Sequence, residues 1–559
     1  MVISREKLPP LHFLHEAEEN AFFQMAQELA PRFKPHVLSS GAGVDSNALL
    51  VRYCEMSDAE RGFPLCNLVV IHAVVGGESV ETKRIMEETI FPLCREHNIW
   101  FIQAHRNGEF ERHGITVLSS TRQPVEYFQR GSYSLLLELI MSGTVPQRNG
   151  SKRLCTLKFK GWVIDEIASY LFGDSPRERF IGFNADEAKR AAKDQSVTVQ
   201  TPIYEVGFNA DEVSRLKEKN FGDQPYDYSI AFNANEASRI KESPERQQVF
   251  RFPLIEMGLG RKWCEDYLDA FLVRQTSGRI TRGKKSYCVN SCPFSECNGK
   301  KRLKGNNTHS DLREDWLNEP EYGGEAAFIE HISLGLNVNQ PLYGRKTVIE
   351  ALLESNNGKA VEHYYHLLDG NDWPAWVAER LTDEIGIQRE YGGELAARQA
   401  QYLLEGKTWA VYCVRRIFDG KAKAPYRQTR ILHQGTQQSS QEYLRELSDR
   451  YGKRPVHEKL SLRLWTIPRP EPIITVSVGR NGKPRKKVEK PKPPFVEEQF
   501  VVLPAAPYEK QRILDEAYDL KWAMITGQVP NVLGENHDDR NPGFRISRKA
   551  RSAKRRKAN

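Results

Sequence analysis

The segment at residues 37–48 constrains this chain most. It reads Val-Leu-Ser-Ser-Gly-Ala-Gly-Val-Asp-Ser-Asn-Ala, an apolar strand that runs into a turn of small residues and then into a helix from about Ser46. Small side chains let backbone N–H groups approach an anion closely, and a helix N-terminus adds partial positive charge. Ser39, Ser40 and Ser46 bring hydroxyl donors to the same place. Asp45 would repel an anion, so it makes sense there if it caps the loop or helps hold Mg2+ on bound phosphates.

The segments on either side of the turn set the fold class. Strands are predicted at 36–39, 68–75 and 100–104, with helices from Ser46 and over 80–97. Strands alternating with helices imply an α/β fold with a doubly wound parallel sheet covered on both faces. Ahead of it, 1–35 reads as an N-terminal helix that ends near Pro31, with Leu14, Phe22, Met25, Ala26 and Leu29 on one face. Within 36–260, residues 181–239 hold three copies of one strand–turn–helix unit: Phe183-Asn184-Ala185-Asp186-Glu187, then Phe208 to Glu212, then Phe232 to Glu236. The segments between the copies are polar, which favours local duplication over a stacked solenoid.

The pattern changes near 301. Residues 301–465 read as a mainly helical accessory region, with Leu352, Leu353, Tyr364, Leu367 and Leu368 at helical spacing and one strand at 408–417. Ser439 and Glu442 resemble a capping box that opens a helix closing at Gly452. Residues 466–500, rich in proline and lysine, read as a linker or extended arm, 501–530 as a helix, and 531–559 as a disordered basic tail.

With 559 residues the chain is expected to hold two to four domains. It has no apolar run long enough to span a membrane and no secretory layout at its start, so a cytoplasmic protein without membrane contact is expected. The net charge is +8, and the tail from Arg545 to Lys557 carries basic residues and no acidic one. Such a tail either aids solubility or neutralises nucleic-acid phosphates. A basic segment with interleaved aromatics, from Trp409 to Arg430, reads equally as an edge strand or as a grip on nucleic acid.

Nine cysteines in a chain of this length do not form a disulfide framework. Cys264, Cys288, Cys292 and Cys297 crowd into 261–300. Four thiolates suit zinc or a 4Fe–4S cluster, and the x3 and x4 gaps with Pro293 after Cys292 favour iron–sulfur. Cys155 stands apart, either as a small buried thiol or as a persulfide carrier.

The turn resembles the PP-loop of N-type ATP pyrophosphatases (a HUP-like fold), in its Gly-Ala-Gly-Val-x-Ser variant, Gly41-Ala42-Gly43-Val44-Asp45-Ser46. It lacks the lysine of a Walker loop. Further elements come in the order found in the phosphoadenosine phosphosulfate reductase superfamily. Gly76-Gly77-Glu78 with Thr82 resembles its second-strand element, although Val74 stands where the family usually has Asp. Arg153, Cys155, Thr156, Lys158 and Lys160 resemble its Arg-x-Cys-Thr…Lys element. Asp186, Glu187 and Arg190 resemble its Asp-Glu-x-x-Arg element, and Phe252-Pro253-Leu254 its Tyr-Pro-Leu segment. The resemblance spans about 36–300 and is nearest the iron–sulfur sulfurtransferases of DNA phosphorothioation. The Glu-Cys-Gly-Leu-His ending of the assimilatory reductases is absent.

The resemblance implies ATP and Mg2+ at 39–46, with contacts from Glu78, Arg153, Lys158, Lys160, Asp186, Glu187 and Arg190, and catalytic roles for Asp45 and Cys155. It implies adenylation of a substrate with release of pyrophosphate, serving sulfur transfer to a nucleic acid, DNA or tRNA, with a sulfur-donor protein or other subunits as partners. Two alternatives remain: a nucleotide-sensing nucleic-acid-binding protein with a structural cluster, and an enzyme acting on a sulfonucleotide.

Overall fold

The computed structural model describes residues 8–14, 16–29, 36–146, 155–172, 178–181, 253–257, 259–284, 287–292, 312–343, 346–369, 393–418, 426–478, 484–489, 491, 495–506 and 515–528. Arg153, Asp186, Glu187, Arg190, Cys297, the repeated units beyond Ile181 and the basic tail lie outside the described residues. The chain divides into two compact units, Met1–Leu139 with Val145–Ala327 and Leu342–Tyr365, and Ile140–Thr144 with Phe328–Pro341 and His366–Asn559.

The first unit is α/β. Its strands are β1 (Leu11–Phe13), β2 (His36–Ser40), β3 (Leu68–Ala73), β4 (Trp100–Arg106), β5 (Ile115–Thr121) and β6 (Glu178–Ile181). Its helices include α1 (Glu16–Leu29), α2 (Val44–Glu55), α3 (Val80–Ile85), α4 (Trp162–Phe172) and α5 (Arg261–Thr276). A π-helical turn, Met86–Ile90, carries α3 on into a further helix, Phe91–Glu96. The sheet order is β1-β5-β4-β3-β2-β6.

The sheet is mostly parallel but mixed, which corrects the expectation of an all-parallel one. β4 and β5 pair antiparallel, while β1/β5, β3/β4, β2/β3 and β2/β6 are parallel. The reason is chain length. Only residues 107–114 join β4 to β5, and a parallel crossover needs a dozen or more residues.

Strand alternation sends side chains into two cores. Leu38, Val70 and Phe101 pack with Ala48, Leu49, Phe91, Leu268 and Leu272 on one face. Val37, Val69, Ile71 and Ile102 pack with Phe22, Ile164 and Ile167 on the other. Both faces are therefore covered, and β2 and β3 are buried at every position. Phe22, Ala26 and Leu29 of α1 are buried as expected, whereas Leu14 precedes the helix and is exposed.

The parallel strands run β4-β3-β2-β6 across the sheet. The chain steps outward from β2 to β3 to β4, then returns to the far side of β2 for β6. Ligands of open α/β sheets bind at such a reversal, outside the carboxyl ends of the strands. The glycine turn after Ser40 leaves the sheet at that point.

The unit also takes in part of the region beyond 301. Helix α6 (Leu312–Asn318), the first turns of α7 (Pro320–Leu336, as far as Ala327) and α8 (Val348–Glu354) belong to it. Helix α9 (Gly358–Asp369) comes next; Leu352, Tyr364, Leu367 and Leu368 are buried as expected, and Leu353 is exposed.

The second unit is not mainly helical between 409 and 504. After α10 (Gly393–Leu404) come β7 (Trp409–Phe418), β8 (Tyr426–Gly435), α11 (Gln437–Tyr451), β9 (Val456–Glu458), β10 (Ser461–Ile467), β11 (Ile473–Val478), β12 (Pro484–Glu489), β13 (Phe495–Pro504) and α12 (Asp515–Ile525). Five strands form an antiparallel sheet, β8-β7-β13-β10-β9, and β11 and β12 form a separate ribbon. The stretch read as a linker is thus largely strand, and 501–504 ends β13 instead of opening a helix. Helix α11 is capped by Thr436, whose side chain accepts from the Ser439 N–H, and closes at Gly452 in the left-handed conformation. No helix among the described residues is long and apolar enough to cross a membrane.

Candidate functional site

The turn between β2 and α2 is almost wholly buried. Ser40 Oγ accepts from the Ala42 N–H at 3.1 Å, and Ala42 sits in the left-handed region at φ 53°. That conformation costs a non-glycine residue about 1–2 kcal/mol, which the short loop must offset. Ser46 donates its hydroxyl to the Gly43 carbonyl at 3.1 Å, and Asn47 donates to the Ala42 carbonyl at 3.4 Å. The N-cap of α2 is Gly43, so no side chain at the N-cap accepts from the first amides of the helix. Ser46 therefore braces the turn, while Ser40 accepts from the turn and keeps its own proton for another acceptor.

Asp45 is not the cap. Its carboxylate lies in the first turn of α2 and receives Arg261 of α5 at 2.7 Å, both side chains being largely buried. Arg261 also bonds Glu265 at 2.8 Å. Burial acts against the Arg261 charge, but Asp45 and Glu265 outweigh it and raise its pKa. The pairing cancels the repulsion that Asp45 would exert on an anion.

Behind the turn stands His72, fully buried in β3. Its Nδ1 lies 3.0 Å from the Ser40 carbonyl, which only accepts, so Nδ1 carries the proton. Nε2 is then the acceptor, and Tyr127 donates its hydroxyl to it at 3.0 Å. Burial and then the Lys160 charge push the His72 pKa down to about 3, so the ring is neutral.

A second turn comes after β3. Gly76 and Gly77 have φ of 89° and 77°. A Cβ on Gly76 would come within 2.8 Å of Ser134 Cβ, and one on Gly77 within 2.4 Å of Asn290 Oδ1. Gly77 accepts from the Val289 N–H at 2.7 Å, which brings the strand end against the segment carrying Cys288. That segment is anchored: Tyr287 donates to Asp315 at 2.6 Å, Trp316 to the Val289 carbonyl at 2.9 Å, and Asn290 to Glu325 at 2.7 Å.

Glu78 is buried at the end of this turn, with the Lys160 ammonium 3.9 Å from its carboxylate. Neither of its oxygens has a partner at hydrogen-bonding geometry among the described residues. Burial raises its pKa, against the Lys160 charge, the backbone at Gly76 and Glu78, and Arg130. Lys160 acts on both Glu78 and His72, which puts a cation at the ends of β2 and β3. Lys158, two residues earlier in the π-helical turn Cys155–Gly161, pairs with Glu138 at 2.8 Å.

The thiols differ in their charged surroundings. Burial first, then Glu78, Cys155 and Cys292, raise the pKa of Cys288 well above its ordinary value, with Lys160 opposing. The Cys292 N–H donates to the Cys288 carbonyl at 3.0 Å. Cys264 keeps other company: it is buried on α5, and burial followed by Asp45 pushes its thiol up to about 12, with Arg261 opposing and Glu265 adding. Cys155 and Cys292 are thus among the groups that act electrostatically on Cys288, whereas Asp45, Arg261 and Glu265 act on Cys264. Among the described residues no group of three or more His, Cys, Asp and Glu side chains is arranged to hold a metal ion. Cys297, the fourth of the thiols expected to ligate, lies outside the described residues.

No family model, no curated protein and no solved structure matches this chain.

Sequence reasoning placed Ser39, Ser40, Gly41, Ala42, Gly43, Val44, Ser46, Glu78 and Lys160, and these lie at the carboxyl ends of β2 and β3 or on the elements beside them. It missed Arg261 and Tyr127, whose partners are 216 and 55 residues away. His72 left one visible trace, a polar residue inside an otherwise apolar strand.

Proposed function

We propose that the first unit binds an adenine nucleotide in the manner of PP-loop proteins and adenylates a substrate with release of pyrophosphate. The observation that carries this reading is the position of the 39–46 turn at the strand-order reversal, with Lys160 acting at the same strand ends. Turn amides, the α2 N-terminus and Lys160 together suit a polyphosphate. A substrate oxygen attacks the α-phosphorus, and the bond to the bridging oxygen breaks. Pyrophosphate leaves with the electron pair. Mg2+ would screen the leaving charge; because Arg261 holds the Asp45 carboxylate, no metal-holding role is assigned to Asp45 here.

Sulfur transfer to a nucleic acid is the outcome we favour. In this reading the half-buried Cys155 would carry the persulfide. No step is routed through a cluster. Anaerobically purified protein incubated with α-labelled ATP and DNA or tRNA is expected to release AMP and pyrophosphate. Absence of both with every nucleic acid tried would remove the adenylation reading.

One observation favours a second reading, in which the unit senses a nucleotide without turning it over: the engagement of Asp45 by Arg261. Saturable ATP binding with no turnover, and unchanged biological activity in Asp45→Asn, would select it.

A further inference from the structure

The ribbon of β11 and β12 is unlike every other strand pair in the second unit. Neither strand joins the five-stranded sheet. Residues 471–477 are exposed throughout, including Ile473, Ile474 and Val476 at 65%, 59% and 62%, and Val488 on the opposite strand is 57% exposed. A lone two-stranded ribbon is marginal in water, and exposed β-branched residues beside open edges invite a partner.

Charge says which partner. Strand β12 and the residue after it carry Arg485, Lys486, Lys487 and Lys490, against Glu489 alone. The register sets positions 485, 486 and 487 opposite Ser477, Val476 and Thr475. Side chains on opposed positions share a face and alternate along each strand. One face therefore takes positions 473, 475, 477, 485, 487 and 489, where Ile473 stands with hydroxyl and charged residues. The other holds positions 474, 476, 478, 484, 486 and 488, apolar but for Lys486. Edge pairing with a second copy would set these basic clusters against each other, which disfavours a strand partner from the same chain.

We propose that the β11–β12 ribbon docks into a groove of double-stranded DNA, with Arg485, Lys486 and Lys487 neutralising phosphates. Two strands about 4.8 Å apart, with their side chains, match a major groove about 12 Å wide, which admits a two-stranded ribbon. The inference rests on the second unit alone and holds whether or not the 39–46 turn binds a nucleotide.

The test is fluorescence anisotropy of the full chain with a labelled mixed-sequence duplex, across salt from about 50 to 200 mM. The Arg485→Gln/Lys486→Gln/Lys487→Gln variant is expected to bind at least about tenfold more weakly, with the slope of log affinity against log salt smaller by about two to three. Its far-UV circular dichroism should be unchanged. A companion variant, with Arg551, Lys554, Arg555, Arg556 and Lys557 changed to Gln, separates the tail from the ribbon. Wild-type affinity and slope in the ribbon variant, with binding lost only in the tail variant, would overturn the proposal. So would absence of duplex binding by the wild-type chain at the lower salt. Loss of binding to phosphatidylserine vesicles, with DNA binding intact, would replace it with a membrane surface.

Discussion

Arg261 on α5 donates to Asp45 in the first turn of α2 at 2.7 Å, across 216 residues of chain. This bond ties the helix that follows the candidate nucleotide turn to a helix distant in sequence within the same unit. Removing one member of a buried pair leaves an uncompensated charge, at a cost of about 3–5 kcal/mol. Arg261→Met is therefore expected to unfold at lower urea concentration by that amount, and Asp45→Asn in the same background should restore a large part of it. Single and double variants with equal midpoints would show that solvent already screens the pair.

His72 links stability to pH. Its folded pKa, about 3, lies below the ordinary value of 6.5 because burial and Lys160 disfavour the charged ring. Between these values the unfolded chain holds a proton that the folded chain does not. Stability therefore rises with pH across the window and is lost as pH falls from 6.5 toward 3, by about 1.4 kcal/mol per pH unit for the single site. His331, pushed down to about 4 by burial and by Arg463, acts in the same direction. His72→Asn keeps a donor near Nδ1 and should remove one proton's worth of slope in urea titrations between those limits. An unchanged slope would mean that His72 is already charged in the folded chain.

Gly77 tests the contact between the β3 turn and the thiol segment. Its φ of 77° strains any side chain, and a Cβ would meet Asn290 Oδ1 at 2.4 Å. Gly77→Ala is expected to cost about 1–3 kcal/mol and to shift 288–292. The readout is thiol reactivity in native buffer. Cys288, buried and with its pKa raised well above normal, should react slowly in the wild type and faster in the variant. Equal rates would place the strain elsewhere.

Local pattern made part of this molecule legible. The turn at 39–46 stood out because a buried strand, small residues and a helix start coincide there, and β2, β3 and β4 because fully buried strands are largely apolar. The second unit hid its sheet for the opposite reason. Arg463 and Glu497 are buried in β10 and β13, where Arg416 meets Glu497 at 2.8 Å and Arg463 meets Gln499 at 2.6 Å. Charges satisfied by a distant partner read as solvent-facing in a sequence, so most of β13 looked like linker and β10 was lost in a region read as mainly helical. The same blindness to distant partners left Asp45 without Arg261.

The thiol grouping is itself open to measurement. Spacing put Cys264 with Cys288 and Cys292, whereas its charged neighbours are Asp45, Arg261 and Glu265. Cys155 and Cys292, with Glu78 and Lys160, are the groups that act on the Cys288 thiol. Iron, zinc and acid-labile sulfide measured on anaerobically purified protein decide between the groupings. Any metal held by these thiols is expected to survive Cys264→Ala, because that side chain fills the core between α2 and α5. The same metal should be lost in Cys288→Ala. Cys264→Ala should lower stability instead, by about 1–2 kcal/mol for a small buried side chain, with the metal content per folded molecule unchanged. Loss of metal in Cys264→Ala at unchanged stability would restore the grouping by spacing, and would require α5 to sit differently against α2.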